Sequence, residues 1–276
     1  MIVPAERLAI GHSSLAHDMS ANVKLNKRAS AANAVSHKGV IGVDTDMSRY
    51  LSADEVKNEQ ITAMGPALGE EFHALYEELF WLCEKWREYQ GLFGTSEKRI
   101  DLLNEAAPAF FVYLQNTLWE DALLHLSRLT GPPRTMGKDN LTIRRLPDLI
   151  TDAGLQQHVA ALVDTAVAKS AFAHDWRNRH IAHRDLPLAL ARATPGLAFA
   201  SRLQVQDSIT AVGDVLNALH THYLHFEVLF ELPGAQGDVL DLLNLLKDGV
   251  RARKAREQRF ELGQPSQEDL DLGESI

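Results

Sequence analysis

From Leu68 to Phe93 the chain sets Phe72, Leu75, Tyr76, Leu79, Phe80, Leu82, Cys83 and Trp86 at steps of three and four residues. That spacing lays apolar side chains along one side of a helix and gives a strand no consistent face. A chain built this way must bury each stripe against another. The pattern returns three times. After Pro108 it runs through Phe111, Leu114, Leu118, Leu123, Leu126 and Leu129 to the stop Gly131-Pro132-Pro133. From Leu155 it passes Val159, Leu162, Val163, Ala166, Ala173, Trp176 and Ile181 to the break at Leu186-Pro187. A fourth segment, capped by Asp207 or Ser208, carries Ile209, Val212, Val215, Leu219, Tyr223, Phe226 and Phe230 and closes at Pro233-Gly234. Proline cannot extend a helix from within, and Gly-Pro pairs end one.

Shorter pieces fill the gaps. Ser52 and Glu55 stand at capping-box spacing ahead of residue 53, Thr95 or Ser96 caps a short helix, and Val239 to about Arg259 reads as a last amphipathic helix before the acidic tail Glu268 to Glu274. Residues 134 to 152 read as a basic loop with one short helix. Strand patterns are scarce, Ala198 to Val205 being a weak candidate. The expectation is an all-α, up-and-down helical bundle at residues 51–232, with a disordered, flexible N-terminal extension at 1–50 and an extra C-terminal helix and acidic tail at 233–276. Trp81, Trp86, Phe110 and Phe111 stand at core spacing, and His125 and Trp119 are expected to pack between helices.

Composition narrows the function classes. A net charge of −9 argues against unselective affinity for nucleic acid, so any polyanion must meet a local basic patch. Such patches occur around Lys24, Lys27 and Arg28; Arg134, Lys138, Arg144 and Arg145; Arg177, Arg179 and Arg184; and Arg251 to Arg259. One cysteine, Cys83, leaves no intrachain disulfide and no Cys-based zinc site, as expected of a cytoplasmic protein. No apolar run reaches membrane-spanning length. Phosphate-cradling Gly-rich loops, nucleophile elbows and His-Glu-x-x-His strings are missing.

The third segment ends in His174-Asp175-Trp176-Arg177-Asn178-Arg179-His180-Ile181-Ala182-His183-Arg184-Asp185. On a helix Arg179, His180 and His183 share one face, while Arg177 needs its long side chain or an irregular helix end to join them. Guanidinium groups match phosphate oxygens and an imidazole titrates near neutral pH, so the cluster suits transfer at a phosphodiester. Asp121, in the Trp119-Glu120-Asp121 run, is either a supporting acid paired with Arg177 or a surface carboxylate. His180-x-x-His183 with Asp185, and His220-x-His222-x-x-His225, have spacings open to a transition metal. The faces they occupy favour ordinary half-buried polar positions, and neither a metal nor any other cofactor is expected.

This segment resembles the HEPN superfamily, marked by Arg followed by a polar residue, often Asn, and a His after four to six intervening residues. Arg177, Asn178 and His183 fit. Spacing alone is weak, since 18 Arg and 12 His supply about two matches by chance, and Arg7 to His12 is a second one. The fuller string and its place on a late helix carry the resemblance. With the Leu118 to Leu129 segment and the long first helix, residues 65 to 230 are most similar to the abortive-infection AbiU-like branch.

The resemblance implies a bundle that dimerises so that two motifs line one cleft, and a metal-independent endoribonuclease of phage defence or toxin–antitoxin type. RNA, a second copy and a cognate antitoxin are the implied partners. His183 would move protons, Arg177 would stabilise the phosphorane and Asn178 would orient the phosphate or His183. Arg179, His180 and Arg184 would grip substrate, Arg179 and Arg184 being equally readable as charges favoured at a helix C-terminus. Relatives silenced by nucleotide transfer carry Tyr two residues after the motif His; here that position is Asp185. Other superfamily members only bind RNA, nucleotide or a partner protein, which keeps an inactive helical module as the alternative.

Overall fold

A computed structural model describes residues 52–94, 96–192, 195–230 and 238–270. The expected N-terminal extension, the Pro233-Gly234 stop and the end of the acidic tail lie outside the described residues.

The chain enters through α1 (Ala53–Met64), whose N-cap Ser52 accepts from the Glu55 N–H while the Glu55 carboxylate accepts from the Ser52 N–H. This reciprocal pair satisfies donors that the first helical turn cannot. Gly65, at φ 80°, turns the chain into α2 (Pro66–Phe93), which starts on proline and stops at Gly94. Ser96 caps α3 (Glu97–Ala106), and Pro108 opens α4 (Pro108–Leu129). A two-stranded antiparallel hairpin, β1 (Arg134–Thr135) and β2 (Lys138–Asp139), stands where a plain basic loop was expected. A 3₁₀ turn at Ile143–Arg145 leads into α5 (Leu146–Leu149).

The third apolar segment is not one helix. It consists of α6 (Ala153–Lys169), a kink at Ser170, α7 (Ala171–Trp176) and a π-helical turn at Arg177–Ile181. At the kink the Ser208 hydroxyl lies 3.1 Å from the Lys169 carbonyl, while its one hydrogen has a nearer acceptor in the Gln204 carbonyl at 2.8 Å. After α8 (Leu186–Ala189), α9 spans Arg202–Leu224. It begins earlier than Asp207 because Ser201 and Gln204 form a capping box, and it ends earlier than Phe230 because His225 takes a left-handed conformation at φ 61°. The weak strand at 198–205 therefore resolves into an extended stretch followed by helix. α10 (Val239–Glu261) lies on α3 and α2, and α11 (Gln267–Leu270) docks back on it through Arg259 and Asp269.

The result is an all-α bundle in which α6 packs on α9, α1 and α4 on α2, and α2 on α9. Leu75, Leu79, Leu82, Leu123, Leu126, Val212 and Leu216 are fully buried, each contributing roughly 1.5–3 kcal/mol of transfer free energy. An aromatic chain crosses the core: Trp86 stacks on Tyr89 at 4.9 Å, Trp119 tilts against both, and Trp176 meets Trp119 edge-on at 6.4 Å. This chain ties α2 and α4 to the residue immediately before Arg177. His125 is buried as expected. Trp81 and Phe110 are not core residues; they are 60% and 59% exposed at the edges of their stripes, whereas Trp86 and Phe111 are buried.

Candidate functional site

The π turn decides how the motif is displayed. Its closing bond runs from the Ala182 N–H to the Arg177 carbonyl, one residue wider than an α-helical bond. The extra residue brings Ile181 onto the core side after Trp176, where α-helical phase would put His180. Arg177 and Asn178 are carried outward. Both are exposed, and the Arg177 Nη1 donates to the Asn178 Oδ1 at 2.8 Å. His183 and Arg184 lie just past the turn, exposed and no longer helical, so His183 does not share an α-helical face with Arg179 and His180.

Three residues of this stretch hold the following loop. Asp175 accepts from the Ala198 N–H at 2.7 Å, and the Trp176 indole donates to the Ala198 carbonyl at 2.8 Å. The Arg179 guanidinium donates to the carbonyls of Pro195 and Gly196 at 2.6 and 3.0 Å and stands near Asp175 and Asp185. Arg179 thus ties a loop down. His180 is half-buried, edge-on to Trp176 and 3.3 Å from Glu120. Asp121 is paired with Lys85 at 2.8 Å; the acid of that run that reaches the motif is Glu120.

Arg177 and Asn178 form one wall of a cleft of about 620 Å³ that sequence reasoning missed. The end of α4, including Ser127 and Arg128, forms the second wall, and the segment 131–141 with its hairpin forms the rim. His174 lies in it, three residues before Arg177, a spacing legible in the sequence once Arg177 is suspected. Its tautomer follows from hydrogen counting. The Thr130 hydroxyl donates its one hydrogen to the Leu126 carbonyl at 2.7 Å, so it must accept from the His174 Nε2–H at 3.1 Å. The His174 Nδ1 lone pair then accepts from the Ser127 hydroxyl at 3.1 Å. Burial first, then the positive charges of Arg144 and Arg177, push the His174 pKa down and keep the ring neutral. On the second wall, His125 Nε2 and Arg128 both contact the Glu78 carboxylate, at 2.8 and 3.4 Å. His183 does not line this cleft.

Among the described residues, no group of three or more His, Cys, Asp or Glu is placed to hold a metal ion, and no helix is long and apolar enough to cross a membrane. His220 is buried against Phe72 and Phe226 and bonded to Gln60, apart from the role its spacing with His222 and His225 suggested.

An all-α bundle presenting Arg, Asn and His from the end of a late helix is a HEPN-type module. The family model described as AbiU2 (HEPN_AbiU2) matches residues 65–242, and the chain belongs to this family. Comparison with curated proteins and with solved structures gave no match.

Proposed function

We propose that the protein is a metal-independent endoribonuclease of a phage-defence (abortive-infection) or toxin–antitoxin type, working as a homodimer in the cytoplasm. The observation that carries the reading is the exposed Arg177–Asn178 pair, locked by its own hydrogen bond on a π turn, with His183 exposed just beyond it. Membership of the AbiU2 family supports it. In this scheme an RNA 2′-hydroxyl attacks the adjacent phosphorus as one His183 takes its proton. The P–O5′ bond breaks, the second copy's His183 protonates the departing 5′-oxygen, and a 2′,3′-cyclic phosphate remains. Arg177 stabilises the phosphorane charge, Asn178 holds the guanidinium in place, and His180 and Arg184 contact flanking phosphates. Arg179 supports the site by fixing the loop beside it, and Glu120 takes the place expected of Asp121 as the acid beside the motif. A cognate antitoxin would act by covering this surface.

The position of His183 outside the cleft favours a second reading, a catalytically silent module that binds RNA, nucleotide or a partner protein. Purified protein incubated with labelled RNA and a chelator separates the two. Cleavage that leaves cyclic-phosphate ends, and that falls about 100-fold or more in Arg177→Ala and in His183→Ala, is the expected result. Binding without cleavage by the wild type, or undiminished cleavage by folded, dimeric His183→Ala, refutes the enzyme.

A further inference from the structure

The cleft beside Arg177 is larger than a phosphate needs, and its walls are chemically mixed. Arg177 and Arg128 stand on it as cations, Leu129 and Leu141 as apolar surface, and Glu78 and Asp139 as carboxylates. A cleft of about 620 Å³ falls in the range that small-molecule sites occupy, roughly 300–1,000 Å³. A site made for phosphate alone would have no use for leucines and carboxylates, which repel or ignore an anion. A nucleotide has use for all three, through its phosphate, the faces of its base and the donors on its edge.

The hairpin gives the rim a defined shape. Its strands pair Arg134 with Asp139 and Thr135 with Lys138, and its turn residues Met136 and Gly137 both take positive φ, at 51° and 82°. The Asn140 side-chain amide donates to the Pro132 carbonyl and to the Thr135 hydroxyl, bracing the base of the hairpin, and the Thr142 hydroxyl reaches the Leu129 carbonyl at the end of α4. Arg145, just beyond, makes a two-point contact with Glu71 of α2 at 2.8 and 2.6 Å. Thr135, Asp139, Asn140 and Leu141 of this segment therefore line a braced rim next to the motif, with Arg134 and Arg145 bracing it from behind through Asp139 and Glu71.

We infer that this cleft is a nucleoside-binding subsite, which takes the base of the RNA residue next to the phosphate held by Arg177. The inference rests on the ribonuclease reading and deepens it. Glu78 is occupied by His125 and Arg128, whereas Asp139 is 71% exposed and stands only 3.8 Å and 4.0 Å from Arg134 and Arg145, so Asp139 is the acceptor open to a base edge. Bases with an exocyclic amine, those of adenine, cytosine and guanine, present an NH2 group to it, whereas the one edge donor of uracil, its ring N3–H, lies between two carbonyl oxygens that a carboxylate repels. The subsite therefore discriminates against uridine.

The test is binding, read separately from cleavage. The full-length protein is titrated calorimetrically with AMP, CMP, GMP, UMP and inorganic phosphate, alongside Leu141→Trp, which fills the cleft, and Asp139→Asn, an exposed and nearly isosteric change. Expected is that AMP, CMP and GMP bind at least about tenfold more tightly than phosphate, equivalent to about 1.4 kcal/mol, with UMP weaker. Leu141→Trp should lower nucleotide affinity to that of phosphate, and Asp139→Asn should bring UMP level with the others. Nucleotides that bind no better than phosphate, or a Leu141→Trp protein of native circular dichroism that keeps the full nucleotide affinity, overturn the subsite. If the wild type cuts no RNA yet shows this pattern, the subsite stands and the ribonuclease falls. If RNA is cut in an Arg177-dependent way and Leu141→Trp alters neither nucleotide affinity nor the choice of cleaved residue, the subsite falls alone.

Discussion

Acidification should destabilise this bundle through one buried ring. His220 of α9 is 1% exposed, packed against Phe72 at 4.8 Å and Phe226 at 5.0 Å, and it accepts at Nε2 from the Gln60 amide, 3.3 Å away. The other end of that amide accepts from His73 Nδ1 at 2.8 Å, so α1 bridges α9 and α2 through a single side chain. A proton on His220 Nε2 would face the Gln60 N–H group. Burial lowers the His220 pKa from its ordinary 6.5 to about 4. Above pH 6.5 the ring is neutral in the folded and unfolded chains alike and contributes no pH dependence. Below it the unfolded chain takes up a proton that the folded one refuses, and stability falls until the folded ring also titrates. Between about pH 7 and about pH 4.5 this linkage amounts to about 2–3 kcal/mol. Urea unfolding followed by circular dichroism at both pH values should show the wild type losing that much more stability than His220→Gln, which keeps an acceptor but cannot titrate. His125 and His174 also have lowered pKa values, but both proteins contain them, so their contributions cancel in the difference. Losses that agree within about 0.5 kcal/mol would refute the reasoning.

Two further outcomes test the framework. Leu126→Ala removes a fully buried side chain from α4 and should cost about 2–5 kcal/mol, read as a lower urea midpoint at unchanged slope. Arg179→Ala leaves the Pro195 and Gly196 carbonyls without their donor. Hydrogen exchange at residues 196–198 should rise while α2 and α4 keep their protection, and a uniform change across the bundle would contradict the loop-holding role.

Much of the fold was legible wherever a helix end is chemically marked. Pro66, Gly94, Ser96, Pro108 and the Ser52–Glu55 box punctuate the chain with residues whose backbone preferences hold in almost any setting. The same grammar stands at Ser201 and Gln204, where α9 begins, whereas Asp207 and Ser208 lie inside the helix and the Ser208 hydroxyl donates back to the Gln204 carbonyl. The kink itself has no local sign. Ala-Lys-Ser-Ala is compatible with a continuous helix, and the chain bends there where α6 leaves its packing on α9 and Trp176 joins the aromatic chain. Periodicity also marks a stripe without marking its edges, which is why Trp81 and Phe110 look like core in the sequence and meet solvent in the bundle. The cleft was illegible for a different reason: its walls come from residues 78, 127–141 and 174–178, which only the packing of α2, α4 and α7 brings together.

The motif shows why a count of basic residues is a poor guide to phosphate sites. Arg177 and Arg179 are separated by one position and indistinguishable by composition, yet the helix phase gives them opposite duties. Trp176 must reach Trp119 on one side, and Ile181 must pack on the core one wide turn later. Those two demands fix the rotation of everything between them. Arg179 falls on the side where the returning loop needs donors for two carbonyls, and Arg177 on the side where the cleft opens. Had the segment stayed α-helical through residue 181, Ile181 would be rotated away from the core by about 100° and His180 would be driven into it. The widened turn is therefore what allows this sequence to keep an apolar anchor on each side of an exposed guanidinium, and removing one residue between Arg177 and Ile181 should let an ordinary α-helix seat Ile181 in the core four residues after Trp176, so that the π turn is no longer needed.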